Sequence, residues 1–144
     1  MRALLVALAL SLLLSPPALA KRAWMTNAEL RTAFSGKTIE GVYRDGRTFK
    51  EAYRANGTLD YDEGSRHLTG HWSVINGTFC TIYDGSASGG CFRVHRLSAN
   101  CFEFYFQSRD EAQAADPKPG DRPSWTAQAW RTNALATCRE RPSV

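Results

Sequence analysis

Hydrophobic and polar residues alternate with a period of two along most of the chain after Thr38. Two segments show the pattern most clearly, and their apolar faces consist of Leu68, Gly70, Trp72 and Val74 and of Phe102, Phe104 and Phe106. A period of two places these side chains on one face of an extended strand. This region is therefore predicted to consist of strands that each bury one face.

Dipeptides that favour tight hairpin turns divide this region, namely Asp45-Gly46, Asn56-Gly57, Asn76-Gly77 and Asp84-Gly85. Asn, Asp and Gly tolerate the positive φ angles that such turns require. The turns and the alternation together predict eight strands, at about residues 38–44, 47–55, 58–62, 67–75, 78–84, 91–97, 100–107 and 124–131.

Eight consecutive strands joined mostly by tight turns form an antiparallel up-and-down meander. Its apolar face has to be buried, either by closure into a barrel or by folding into two packed sheets. Closure also removes the exposed edge strands that invite aggregation. We therefore predict an all-β fold in which about eight strands close into a small barrel.

A short helix is predicted before the first strand. Thr26 and Glu29 have the spacing of a capping box, which marks the start of a helix. The helix should span residues 27–34 and end at Ser35-Gly36, where Gly accepts the left-handed conformation of a helix end. We expect this helix to plug the barrel or to brace its outer wall.

The first 20 residues have the pattern of a secretory signal peptide. Arg2 is followed by an uncharged apolar run, and Ala18-Leu19-Ala20 matches the small-x-small cleavage pattern. The run of 12 residues is shorter than the ~20 that a membrane helix needs, so an uncleaved anchor is the weaker alternative. We predict cleavage after Ala20. Residues 21–144 then form one domain, periplasmic or secreted, that does not span a membrane.

The residues argue against several classes of function. The formal charge of +4 falls to +3 once Arg2 leaves with the signal peptide, and so small an excess does not indicate nucleic acid as a partner. His67 and His71 lie about 13 Å apart in a strand, too far for one metal ion. No complete catalytic motif is found, and nothing places paired carboxylates such as Glu51 and Glu103 together. We expect no metal, no cofactor and no catalytic residue.

The four cysteines are more typical of disulfides than of a metal site, because an exported protein meets an oxidising compartment. Four cysteines allow three pairings. A tight turn centred on Gly85-Ser86 would place Cys80 directly opposite Cys91, within reach of a disulfide. We therefore favour Cys80 with Cys91 and Cys101 with Cys138, a pairing that would tie the C-terminal tail to the barrel wall.

The chain is rich in aromatic residues, with seven Phe, five Tyr and four Trp. An eight-stranded barrel has an interior that side chains can fill or that can hold one small ligand. Six aromatic residues are candidates for the lining of such a cavity: Tyr53, Trp72, Phe79, Tyr83, Trp125 and Trp130. The alternative is that these rings only form the core.

One connection, from Ser108 to Ser124, is much longer than the others. Connections of this length are uncommon in compact domains and are often functional. The segment could cover one mouth of the barrel. Equally, it could be a tolerated surface insertion.

Part of the pattern resembles a known group of proteins. The residues that carry it are, in order, Phe34-Ser35-Gly36-Lys37-Thr38, Gly41-x-Tyr43, Asp45-Gly46, Phe49, Tyr53, Asn56-Gly57, Gly70-x-Trp72-x-Val74, Cys80 and Cys91. This order resembles that of small exported bacterial proteins with a lipocalin-like or avidin-like barrel. Because no activity is established for those proteins, the resemblance implies a fold and an exported location but no site.

These observations lead to two hypotheses about function. The first is a non-catalytic binding module for a small apolar or amphipathic ligand, or for a protein partner in the cell envelope. The alternative is an envelope hydrolase or an enzyme inhibitor that uses exposed polar residues such as Arg93, His95 and Glu103.

Overall fold

The computed structural model describes residues 23–86, 88–111 and 125–138. In these ranges, eight antiparallel strands follow one another around a closed barrel, and the last strand pairs with the first. The predicted all-β up-and-down barrel is therefore confirmed. The expected signal peptide and most of the connection between Ser108 and Ser124 lie outside the described residues.

The helix and the strands agree with the predicted ranges to within three residues at each end. Helix α1 is Asn27–Phe34. The strands are β1 (Lys37–Tyr43), β2 (Thr48–Tyr53), β3 (Thr58–Glu63), β4 (Arg66–Ile75), β5 (Thr78–Tyr83), β6 (Gly89–Ser98), β7 (Cys101–Ser108) and β8 (Ala127–Arg131). No helix in the described ranges has the length and apolar character that a membrane span requires.

Helix α1 begins at the predicted capping box. The Thr26 hydroxyl accepts a hydrogen bond of 3.3 Å from the Glu29 amide, and the Glu29 carboxylate accepts one of 2.7 Å from the Thr26 amide. Leu30, Ala33 and Phe34 are the buried residues of the helix. The cap therefore fixes the start of a helix that turns one apolar face to the barrel interior.

Helix α1 closes one end of the barrel. The Phe34 ring packs against the rings of Phe79 and Phe102, with centroid distances of 4.8 and 5.1 Å. The Asn27 side chain accepts a hydrogen bond of 2.7 Å from the Gly77 amide in the β4–β5 turn. Of the two expected positions, plug and outer brace, the helix takes that of the plug.

Strands β5 and β6 pair in the register expected from the turn between them. Cys80 lies opposite Cys91, and Phe79 lies opposite Phe92. Phe79 belongs to the core, so its neighbour Cys80 faces the outer side of the wall. Cys80 and Cys91 form a disulfide with their Cα atoms 4.0 Å apart, and both are fully buried.

The second disulfide joins Cys101 to Cys138, with the Cα atoms 4.9 Å apart. Beside it, the Asn100 side chain donates hydrogen bonds to the carbonyls of Arg131 and Ala134. Both predicted pairings are thus present. The tail after β8 is held against the start of β7, as expected.

Candidate functional site

A cavity of about 480 Å³ lies inside the barrel at the end opposite α1. It reaches the β1–β2, β3–β4 and β5–β6 turns, where Arg47, Arg66 and Ser88 border it. Because neighbouring strands are antiparallel, these turns share one end of the barrel, which we call the mouth. The volume falls within the range of about 300–1,000 Å³ that is typical of small-molecule sites.

The walls of the cavity are mostly apolar and aromatic. The apolar side chains that line it are Ile39, Phe49, Phe79, Phe92, Phe104, Phe106 and Ala127. They take inward positions on six of the strands. The alternation of side chains that builds the core therefore also builds the walls of the cavity. Such walls can bury the apolar part of a ligand, and its orientation is then set by a few polar groups.

Glu51 on β2 lies inside the barrel among these apolar side chains, and only 4% of it is exposed. The Tyr53 hydroxyl donates a hydrogen bond of 2.7 Å to one of its oxygens, and the Tyr83 hydroxyl donates one of 2.8 Å to the other. Burial raises the pKa of Glu51 from its ordinary 4.5 to about 7, although both phenol hydrogen bonds favour the ionised form. Neutral and ionised Glu51 are therefore both populated near neutral pH.

Tyr83, whose hydroxyl contacts Glu51, lies directly opposite a glycine, Gly70. Gly70 on β4 pairs with Tyr83 on β5 at a buried, inward position. The interior beside β4 is therefore open to the Tyr83 side chain. A Cβ atom at Gly70 would also lie 2.1 Å from the Ile82 carbonyl oxygen, so the close approach of β4 and β5 requires glycine here.

A second hydrogen-bonded group lies nearer the mouth. The Tyr61 hydroxyl donates to the Glu63 carboxylate, which is also paired with Arg47. The Tyr61 hydrogen bond is the largest cause that holds the pKa of Glu63 below its ordinary value. An ionised carboxylate only accepts hydrogen bonds, so the Tyr43 hydroxyl, 2.9 Å from that of Tyr61, is the donor between the two phenols. Burial raises the pKa of Tyr43 to about 12 and also raises the pKa of Tyr61, so both phenols stay protonated at neutral pH.

Among the described residues, three arginines border the mouth: Arg47, Arg66 and Arg109. Arg47 is paired with Asp45 and Glu63. By contrast, Arg66 donates to serine hydroxyls, and the Arg109 guanidinium lies over the Phe106 ring. The described residues at the mouth therefore carry charges of both signs.

Of the six aromatic residues that the sequence suggests as a lining, three line the cavity and three do not. Tyr53, Phe79 and Tyr83 line the cavity. Trp72 is instead buried near the closed end, where its indole N–H donates a hydrogen bond of 2.8 Å to the Arg54 carbonyl. Trp72 thus contributes to the core and not to the cavity wall.

Trp125 and Trp130 do not line the cavity either. Strand β8 begins only at Ala127, so Trp125 precedes it. Ala127 and Ala129 take the inward positions of β8, and Trp130 therefore faces outwards, beside a surface depression. The predicted lining is wrong at these two positions, because Trp125 lies before the strand and side chains alternate along β8, so the inward Ala129 leaves its neighbour Trp130 on the outer face.

Glu51, Tyr61 and Glu63 also line the cavity, and they are not among the residues that the sequence suggests as a lining. Glu51 lies between Phe49 and Tyr53 in the inward alternation of β2, and Tyr61 follows Leu59 in the same way on β3. The signal that could have found them is this alternation. Glutamate is rarely buried in proteins, so its residue type favours a surface position even where the alternation places it inside.

Arg93, His95 and Glu103, the residues of the hydrolase or inhibitor hypothesis, lie together on the outer side of β6 and β7. His95 faces Glu103 across the strands, and its ring stacks on Trp24 at a centroid distance of 3.7 Å. The Tyr105 hydroxyl donates a hydrogen bond of 2.6 Å to Glu103, which is only 2% exposed, so the expectation that Glu103 is an exposed residue is wrong. The cluster holds Trp24, in the segment before α1, against the barrel wall. The Glu103 carboxylate already accepts hydrogen bonds from Tyr105 and Gln128.

Metal-binding geometry is not found among the described residues, because no three His, Cys, Asp or Glu side chains are grouped to hold an ion. His67 is hydrogen-bonded to the Asp62 carboxylate at 2.8 Å. Glu51 and Glu103 lie on opposite sides of the barrel wall and do not form a carboxylate pair.

Comparison of the chain with protein-family models, with curated proteins and with solved structures finds no significant match. The resemblance to exported lipocalin-like or avidin-like barrels therefore stays a prediction. Function has to be inferred from the geometry of the cavity.

Proposed function

We propose that the protein is a non-catalytic binding module that holds one small amphipathic molecule in the barrel cavity. The observation that carries this proposal is a cavity of about 480 Å³ whose aromatic walls are interrupted by two hydrogen-bonding groups, one at Glu51 and one at Glu63. The apolar part of the ligand would contact the walls. Its polar groups would meet Glu51 in the interior or the charged residues at the mouth.

The free energy for binding would come mainly from the apolar surface that the ligand buries, at about 25 cal/mol for each Å². The walls belong to a closed barrel with two disulfides and a helix across one end. A site that is already ordered loses little conformational entropy when it binds a ligand. A rigid cavity of this size is therefore suited to a small ligand.

We also propose that the protein acts in the periplasm or outside the cell. Two disulfides are typical of proteins from oxidising compartments, and residues 1–20 match a secretory signal. Fractionation of expressing cells tests this proposal, and we expect oxidised protein that begins at Lys21 outside the cytoplasm. Full-length protein that stays in the cytoplasm with free thiols would contradict it.

Phenethyl alcohol is a suitable neutral probe of the cavity because it combines one aromatic ring with one hydroxyl group. We expect saturable binding in titration calorimetry and a melting temperature that rises with ligand concentration. The variant Ala127→Phe places a ring into the cavity and should abolish binding. The variant Ala136→Phe adds the same ring at an exposed position and should leave binding unchanged. A folded Ala127→Phe variant that still binds the probe would contradict the proposal.

A further inference from the structure

Glu51 is a buried carboxyl group that borders the cavity. In the part of the chain that the structure describes, it is hydrogen-bonded to the phenols of Tyr53 and Tyr83 and is not paired with any Lys or Arg. A carboxylate can accept about four hydrogen bonds. Acceptor positions therefore remain for a donor that a ligand brings into the cavity.

A buried carboxylate without a cation is costly, since charges inside proteins are either paired or removed by a change of protonation. Burial accordingly raises the pKa of Glu51 to about 7. A cationic group on the ligand would supply the missing partner. It would also let Glu51 ionise without contact with water.

The rings around Glu51 suit a cation as well. Tyr53, Tyr61 and Tyr83 all border the cavity, and the ring centroids of Tyr61 and Tyr83 are 5.0 Å apart. The faces of aromatic rings attract organic cations, and the attraction is stronger where water is excluded. A cation beside Glu51 would thus meet a carboxylate and π faces together.

We infer that the cavity binds the protonated amine of a small aromatic or alkyl amine, with Glu51 as its counter-ion and Tyr53 and Tyr83 holding the carboxylate in place. This inference rests on the proposed function and deepens it by naming the class of ligand. The arginines at the mouth oppose it only weakly, because salt screens exposed charges over about 8–10 Å whereas a buried pair is screened much less.

Amine binding should depend on pH through Glu51. Within the described ranges, the titratable groups that face it are phenols from four strands: Tyr43, Tyr53, Tyr61 and Tyr83. Burial raises the pKa of each phenol above its ordinary 10.0, so all of them stay neutral near pH 7. Nearer the mouth, Arg47 and Glu63 form an ion pair. Glu51 is then the group that changes charge, and the amine should bind more tightly as Glu51 ionises.

Three ligands of similar size test the inference: phenethylamine, phenethyl alcohol and phenylpropionate. Each is titrated into the full chain, as purified, by calorimetry. At about pH 8 the amine should bind about tenfold or more tightly than the alcohol, and the acid should bind most weakly. At about pH 5, where Glu51 is neutral, the preference for the amine should fall to about threefold or less.

Two matched variants locate the preference. Glu51→Gln keeps the size of the side chain and removes its charge, so amine and alcohol should bind about equally. Glu40→Gln removes an exposed carboxylate that pairs with Lys50 on the outer face, and the preference for the amine should remain. If Glu51→Gln does not fold, the wild-type protein provides the test. A preference for the amine that falls between about pH 8 and about pH 5 supports the inference, and a preference that is the same at both overturns it.

The outcomes separate this inference from the proposed function. If none of the three ligands binds, the proposed function fails and the inference fails with it. If the alcohol binds as tightly as the amine at about pH 8, the cavity remains a binding site but the inference is overturned. The same holds if the Glu51→Gln variant keeps the preference for the amine.

Discussion

The Tyr83 hydroxyl and the Glu51 carboxylate are 2.8 Å apart inside the barrel, although their strands β5 and β2 are not neighbours in the sheet. The hydrogen bond therefore crosses the interior instead of following the wall. On β4, Gly70 lies opposite Tyr83 and places no side chain beside it. An acid is in this way accommodated among aromatic residues, at the place where a ligand would meet it.

The stability of the protein should fall as the pH rises, because of Glu51. Its pKa is about 7 in the folded protein against an ordinary value of 4.5, so the folded state binds the proton more tightly than the unfolded chain. The resulting stabilisation is fully present below about pH 4.5 and is lost as the pH rises through about 7, by up to about 3 kcal/mol. Denaturant unfolding between about pH 5 and pH 8 measures this slope.

Glu51→Gln should remove the slope and Glu40→Gln should keep it. Glu63 acts in the opposite sense, since its pKa is lowered: its stabilisation is present above its ordinary pKa and is lost only as the pH falls through the lower folded value. It therefore does not mask the effect of Glu51 above about pH 5. A wild-type stability that is flat or rises over this range would show that Glu51 is not buried in solution.

The variant Tyr83→Phe should weaken the network around Glu51. It deletes one hydroxyl and keeps the ring, and we expect the free energy of unfolding to fall by about 1–2 kcal/mol at neutral pH. The pKa of Glu51 should rise further, because a hydrogen bond that favours the carboxylate is lost. An NMR titration of the Glu51 carboxyl carbon measures the shift. An unchanged pKa would mean that Tyr83 does not contact Glu51.

Gly70→Ala should destabilise the barrel strongly. The new Cβ atom would lie 2.1 Å from the Ile82 carbonyl oxygen, in backbone that cannot move without separating β4 from β5. We expect a loss of about 3 kcal/mol or more in the free energy of unfolding. Gly46→Ala is the control, because it has open space and only a positive φ of 89°, and it should cost about 1–2 kcal/mol. Equal losses would contradict the close approach at Gly70.

The two disulfides should contribute unequally to stability. The bond between Cys101 and Cys138 spans 37 positions, whereas that between Cys80 and Cys91 spans 11. In the loop-entropy account, replacement by alanine should cost about 4 kcal/mol for the longer ring and about 3 kcal/mol for the shorter one. Denaturant unfolding of the two double variants compares them. A larger loss for the shorter ring would indicate that it acts mainly through native packing.

The sequence predicts the barrel well because its signals are local. The capping box of Thr26 and Glu29 sets the start of α1, and the tight turn after Asp84 sets the register that joins Cys80 to Cys91. Each signal acts over a few residues and does not depend on the rest of the fold. The same property explains why the strand bounds and the pairing of Cys80 with Cys91 follow from the residues alone.

The cavity is harder to predict because it depends on contacts between distant strands. Trp130 lies on the outer face because the small residues Ala127 and Ala129 take the inward positions of β8, and the sequence of this short strand does not show which of its two faces is buried. Glu51 is hydrogen-bonded to Tyr83, 32 positions away along the chain. The alternation of β2 places Glu51 on the inward face, but no local pattern records its contact with Tyr83, which only the folded barrel shows.

The most direct test of ligand binding in the cavity is an NMR measurement of contacts between phenethyl alcohol and the methyl groups of the protein. We expect intermolecular nuclear Overhauser effects from the ring of the alcohol to the methyl groups of Ile39 and Ala127, which line the cavity. Leu135 is 87% exposed and provides the comparison for contacts at the surface. Contacts to Leu135 without any to Ile39 or Ala127 would contradict the account.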